Sequence, residues 1–95
     1  MAELDDFHST HPAPPRPDAL PVSWSSPLPH SSGIRVRDYT CECRSLVFEL
    51  CVAGGLAFIR RYDRSVSPGV IVESPRERAH NTELLWWQLI AGKAR

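Results

Sequence analysis

The chain has 95 residues, 42% of them hydrophobic and 23% charged, and its eleven basic and eleven acidic side chains give a formal charge of zero. That length holds at most one domain, with a core near the size at which isolated domains become marginal. The charge is unevenly spread, net −3 over residues 1–33 and net +3 over residues 34–95, a surplus far below that of a dedicated nucleic-acid binder.

Residues 1–33 hold seven of the nine prolines and six serines, in runs such as His11-Pro12-Ala13-Pro14-Pro15-Arg16-Pro17. Proline removes amide donors and locks φ, so neither helix nor sheet is sustained there, and the stretch is predicted to be a disordered or extended arm. Its apolar beads, Phe7, Leu20, Val22 and Trp24, are expected in a solvated tail, with docking on the domain or on a partner as the alternative.

Residues 34–95 are predicted to form one small domain. From Ile34 to Cys43 apolar and polar residues alternate, the period of a half-buried strand. Ile34 and Val36 share one phase and Tyr39, Cys41 and Cys43 the other, which places a break or bulge near Asp38. A second phase change at Arg44-Ser45 predicts a tight turn or bulge, after which Leu46, Phe48, Leu50 and Val52 share a face.

Gly54-Gly55 lies between two apolar runs, Leu46 to Ala53 and Leu56 to Asp63, and primed two-residue hairpin turns need positive φ. The register follows: Ala53 opposite Leu56, then Val52 with Ala57, Leu50 with Ile59 and Phe48 with Arg61 on one face. Cys51 pairs with Phe58, Glu49 with Arg60 and Val47 with Tyr62 on the other. The Glu49–Arg60 match places opposite charges across the ladder, which a one-residue slip would lose.

Beyond a polar loop at Arg64 to Gly69, Val70-Ile71-Val72 predicts a last short strand. Ser74-Pro75-Arg76-Glu77 then has the form of a capping box, with serine as N-cap and proline at the first helical position; Asn81 or Thr82 would cap a shorter helix instead. From Glu83 a helix carries Leu85, Trp86, Leu89 and Ile90 on one stripe and stops at Gly92. The predicted fold is α+β, a small antiparallel sheet of three to four strands followed by one C-terminal helix and preceded by the Pro/Ser-rich arm.

Chemistry is sparse in this pattern. Cys41-x-Cys43, Cys51 and one of the four histidines include the donors of a tetrahedral zinc site. The second close pair of ligands is missing and His80 is the histidine of the folded part, so buried reduced thiols are expected and no metal or cofactor is assigned. His8, His11 and His30 fall in the arm, where nothing is expected to hold a catalytic base, and no enzyme is predicted. The Gly54-Gly55 turn leads into a strand without a following lysine, which excludes a phosphate loop.

Three cysteines cannot all pair internally, and no positively charged start followed by an apolar run precedes them, so a reducing cytoplasmic setting is expected. The longest mostly apolar stretch, Leu50 to Ile59, is broken by two glycines and is shorter than the roughly 20 residues of a membrane helix.

Two features suggest a partner surface. Adjacent tryptophans on a helix point about 100° apart, so one helix on one small sheet is expected to leave Trp86 or Trp87 partly exposed. Both faces of the hairpin are apolar near the turn while one helix covers only one of them. The second face, with Cys51, Ala53, Leu56 and Phe58, is therefore expected to be buried against another chain. Arg60, Arg61, Arg64, Arg76 and Arg78 form the main basic cluster, and Arg61, opposite Phe48, is expected to pair with an acid on the helix or on another chain.

Phe48-Glu49-Leu50-Cys51-x-Ala53-Gly54-Gly55-Leu56-x-Phe58-Ile59-Arg60-Arg61, Glu73-Ser74-Pro75-Arg76 and Leu85-Trp86-x-x-Leu89-Ile90-x-Gly92-x-Ala94-Arg95 resemble the small BldB/AbaA-type regulatory proteins of Streptomyces and related actinobacteria. The resemblance covers roughly Tyr39 to Arg95. It implies a small non-enzymatic regulator, a homodimer working beside a helix-turn-helix transcription factor in development and antibiotic production. The partner interface is then expected to involve Cys51, Ala53, Leu56, Phe58, Arg60, Arg61, Trp86 and Trp87. The alternatives are direct DNA binding through the arginines, or a small zinc-stabilised module.

Overall fold

The computed structural model describes residues 9–28 and 33–95. Four strands, β1 (Arg35–Tyr39), β2 (Leu46–Ala53), β3 (Leu56–Asp63) and β4 (Val70–Glu73), form an antiparallel meander in chain order, and the helix α1 (Ala79–Ile90) follows. At the β2–β3 turn Gly54 and Gly55 have φ of 59° and 79°, the positive pair of a primed turn. The ladder pairs every residue from Leu46↔Asp63 to Ala53↔Leu56 as predicted. Glu49 Oε1 accepts from Arg60 Nε at 2.8 Å, so the charge match that argued for the register is realised. The β1–β2 register shifts between Val36 and Asp38, at the bulge that the phase change implied.

The sheet has two unlike faces. Phe48, Leu50 and Ile59 lie under α1 and pack with Trp86, Leu89 and Ala94. On the opposite face Cys51 and Phe58 are wholly buried, Arg60 bridges to Glu49, and Arg76 lies over the Phe58 ring at 4.3 Å. Arg76 also reaches Glu73 Oε1 at 3.5 Å.

The helix starts later than the capping box implied. Ser74 to Glu77 stay extended along β3: Ser74 N donates to Ile59 O and Ile59 N donates to Ser74 Oγ, both at 2.8 Å, and Ala57 and Glu77 exchange backbone bonds. The side chain expected to cap a helix therefore satisfies a buried strand amide. Pro75, which cannot donate, falls inside the one-residue offset between the Glu73↔Arg60 and Glu77↔Ala57 pairs. Arg78 precedes α1 without a side-chain cap, and Thr82, the alternative cap, donates instead to Ala57 O at 3.1 Å. A Ser74→Ala variant is expected to lose about 1–3 kcal/mol, because the Ile59 N–H would be left buried without its acceptor. Glu77→Ala is expected to be close to neutral, and urea titration of the two variants separates the strand role from the capping role.

Gly92 ends α1 at φ 75°, with Lys93 N donating to Gln88 O at 2.8 Å and Gly92 N to Leu89 O at 3.2 Å, a Schellman pair. A Cβ at Gly92 would also collide with the Pro14 carbonyl, because the arm crosses there.

Residues 9–28 have an extended course with isolated bridges, and they are tied to the domain along their length. Cys41 N donates to Thr10 O, Ala13 N to Ile90 O, Arg16 N to Gly92 O and Leu20 N to Lys93 O, and Ser25 and Glu73 exchange bonds at the β4 edge. Val22 and Trp24 pack against the core, whereas Leu20 stays 64% exposed. The boundary drawn after residue 33 is thus crossed by backbone bonds and by two core side chains. The strap is made by non-proline amides of the arm: Ala13, Arg16 and Leu20 donate to carbonyls at and just beyond the C-terminal end of α1, where the helix leaves its last carbonyls without intrahelical partners. Phe7, His8 and His30 lie outside the described residues.

Candidate functional site

The expected interface residues do not form one surface. Cys51 and Phe58 are wholly buried within the single chain, so they offer no side-chain area to a partner, and the expectation that this face needs a second chain is corrected at those two positions. The physical reason is local: Arg76, carried in on the extended Ser74–Glu77 segment, lays its guanidinium on Phe58. Ala53 is half-buried and Leu56 is exposed beside the turn.

The two tryptophans divide as their 100° offset requires. Trp86 is 3% exposed in the core and Trp87 is 63% exposed. Trp87 stands at the rim of a groove of about 240 Å³ between α1 and the β1–β2 side of the sheet, where Arg37, Asp38 and Glu83 put both signs of charge around Leu50 and Val52. Leu84, one turn before Trp87 on α1, is also exposed.

The arginines are dispersed. Arg60 is paired with Glu49 on one face, and Arg61 lies on the other with its guanidinium 4.9 Å from the Trp24 ring centroid. Among the described residues Arg61 forms no ion pair within the chain, so the acid on the helix is not its partner, and its guanidinium lies against the indole of the arm. Arg64 donates to the carbonyls of Glu42 and Arg44, the latter at 2.9 Å, and so braces the turn between β1 and β2.

That turn carries the most concentrated chemistry. The ligand atoms of His11, Cys41 and Cys43 all lie within 4.8 Å of one another, and Cys43 Sγ is 3.2 Å from His11 Nε2. Cys41 is buried, while Cys43 and His11 are exposed. A hydrogen bond from the Cys43 backbone lowers the Cys41 thiol to about 6, burial opposing it and the Cys43 and His11 side chains adding to the effect. Cys43 is raised in turn, first by its hydrogen bond to Cys41. Cys51, a further candidate donor in the sequence pattern, sits apart on the sheet opposite Val36 and Phe58. Sequence reasoning placed His11 in an arm that nothing would hold. No local pattern signals its placement, which is set by the backbone bonds of Thr10 to Cys41 and of Ala13 to Ile90 on either side of it.

Burial first, with Glu49 and Glu73 adding and Arg60 and Arg76 opposing, pushes the Cys51 thiol from 9.0 up to about 11. Below pH 9 folded and unfolded chains both keep this proton. Between 9 and 11 only the unfolded chain releases it, so stability falls as pH rises through that window, by about 1.4 kcal/mol per pH unit. Denaturant titrations at pH 8 and pH 10 are expected to show the wild type losing about that much more than Cys51→Ala.

Among the described residues no helix is long and apolar enough to cross a membrane. No protein-family profile, curated protein or solved structure matches this chain.

Proposed function

We propose that this chain is a non-enzymatic, cytoplasmic regulatory module that pairs with a second copy of itself and binds a helix-turn-helix transcription regulator, in development or secondary metabolism. The observation that carries this reading is Trp87, a large ring left 63% exposed on a regular helix at the rim of a groove. An indole held open in this way has a high cost in water and is the kind of anchor that dominates protein interfaces. The occupant of the groove is a second copy: Arg37 and Asp38 on the sheet side and Glu83 on the helix side make the surface self-complementary, as a two-fold interface requires. The resemblance of the hairpin and the C-terminal segment to BldB/AbaA-type regulators supplies the class of the second partner.

Light scattering of the full chain is expected to give a dimer, and Trp87→Ala a folded monomer. A bait of the wild-type chain is expected to retain an identified helix-turn-helix regulator that Trp87→Ala retains less. A monomeric wild type that recovers no such regulator would overturn the reading, as would salt-sensitive binding of DNA by the chain alone, since phosphate contacts carry that salt dependence.

A further inference from the structure

We propose that His11, Cys41 and Cys43, its ligands among the described residues, form a zinc site that staples the N-terminal arm to the turn between β1 and β2. Three donors contributed from positions 32 residues apart converge on one point, with Cys43 Sγ and His11 Nε2 3.2 Å from each other. Bond lengths of about 2.3 Å to sulfur and about 2.0 Å to nitrogen in a tetrahedron separate ligand atoms by roughly 3.5–3.8 Å. The observed spread, none beyond 4.8 Å, is therefore closed by a change of about 1 Å, within the reach of the exposed Cys43 side chain.

The backbone that presents these donors is held independently of any ion. Thr10 and Thr40 bridge in parallel and Cys41 N donates to Thr10 O at 2.9 Å, which fixes His11 beside Cys41. Thr40, wholly buried, donates through its amide to Phe48 O and accepts from Phe48 N at its Oγ1, each at 2.9 Å. Arg64 clamps the carbonyls on either side of Cys43. Donors set in place beforehand lose less freedom on binding, and an ion held by them opposes undocking of the arm.

Donor chemistry selects the ion. Two thiolates and an imidazole, with no carboxylate in the cluster among the described residues, suit zinc rather than calcium or magnesium, which take oxygen ligands. His11 and Cys43 are exposed, so the ion has an entry path. The Cys43–His11 pair alone is also the minimum of a nucleophile and a base; the convergence of the second thiol, Cys41, is what favours a cation.

Tag-free, chelator-treated full chain under a thiol-free reductant is titrated with cobalt(II), then with zinc. The expected result is a one-to-one complex with a thiolate-to-cobalt charge-transfer band that zinc bleaches, together with slower proteolysis of the arm in the presence of zinc. His11→Ala and Cys43→Ser are expected to weaken zinc binding more than about 100-fold, the upper end of what loss of an outer-shell partner costs. Cys51→Ser, apart from the cluster, is expected to bind as the wild type, and a native circular dichroism spectrum for each variant excludes unfolding as the cause. Absence of the charge-transfer band, unchanged affinity in His11→Ala, or equal loss in Cys51→Ser would each overturn the assignment. The test is independent of the Trp87 interface.

Discussion

Trp24→Ala is expected to lower the stability of the domain by about 3 kcal/mol, the lower end of the range for removing a large aromatic from a core. For a chain of this size that shift corresponds to a fall in melting temperature of roughly 12–24 °C. The Trp24 ring meets Phe48 at a centroid distance of 6.1 Å and a 33° tilt, and the guanidinium of Arg61, the cross-strand partner of Phe48, lies over the ring 4.9 Å from its centroid. Alanine would remove the aromatic pair and the cation–π contact together, and would leave Arg61, whose buried Nε has no hydrogen bond, facing a void. Substitution in a free tail changes stability by less than about 0.5 kcal/mol, so thermal and urea unfolding of this one variant distinguish a docked arm from a solvated one. The effect is expected to extend to the far end of the arm. Once Trp24 is lost, the bonds from Ala13, Arg16 and Leu20 to the end of α1 have one fewer anchor, and proteolysis within residues 9–28 should accelerate.

A second large effect separates the neighbouring tryptophans. Trp86→Ala is expected to cost about 4 kcal/mol, because Trp86 is 3% exposed and packs with Phe48, Ile59 and Leu89 in the main core. A loss of that size is a large share of the total stability of a small domain and should leave the variant partly unfolded at 37 °C. Trp87→Ala, at a residue 63% exposed in the single chain, is expected to change the folding stability of the monomer by less than about 0.5 kcal/mol, compared at dilutions below dimerisation. Chemical denaturation of both variants checks the contrast. At those dilutions near-ultraviolet circular dichroism should lose the Trp86 contribution in the first variant and little in the second, since a ring on the surface of the monomer has no fixed asymmetric surroundings. If Trp87→Ala proved as costly as Trp86→Ala, that ring would be structural and the proposed interface would lose its anchor.

The hairpin was legible because its determinants are local. Gly54-Gly55 permits the positive φ of a primed turn, alternation assigns each residue to a face, and Glu49 opposite Arg60 excludes a slip. The bulge near Asp38 was legible for the same reason, since a phase change in a strand has few other causes. Ser74 shows where local reading stops. Its hydroxyl is chemically able to cap a helix or to accept from a strand amide, and the choice depends on Ile59, fifteen residues away, which sits on β3 with an N–H to satisfy. No pattern within Ser74-Pro75-Arg76-Glu77 contains that information.

The candidate sites divide along the same line. The splitting of Trp86 from Trp87 follows from helical geometry, and the open ring could be expected from two adjacent letters. His11 could not be read as a ligand, because its position depends on where a proline-rich segment without periodicity lies, and that is set by partners at Thr40, Ile90, Gly92, Lys93 and Glu73. The burial of Cys51 and Phe58 depends likewise on Arg76 arriving over the sheet at the end of an extended segment.

Strand order, hairpin register, the C-terminal stop of α1 and the exposure of one tryptophan were thus written in the chain, since each rests on backbone stereochemistry or on a side-chain period of two or 3.6. The docking of the arm, the extended course of Ser74 to Glu77, the closure of the second sheet face and the meeting of His11 with Cys41 and Cys43 were settled in three dimensions. Each rests on a hydrogen bond or a stacking contact between residues distant in sequence, and such contacts are chosen by the competition of all buried groups for partners, which no local pattern records.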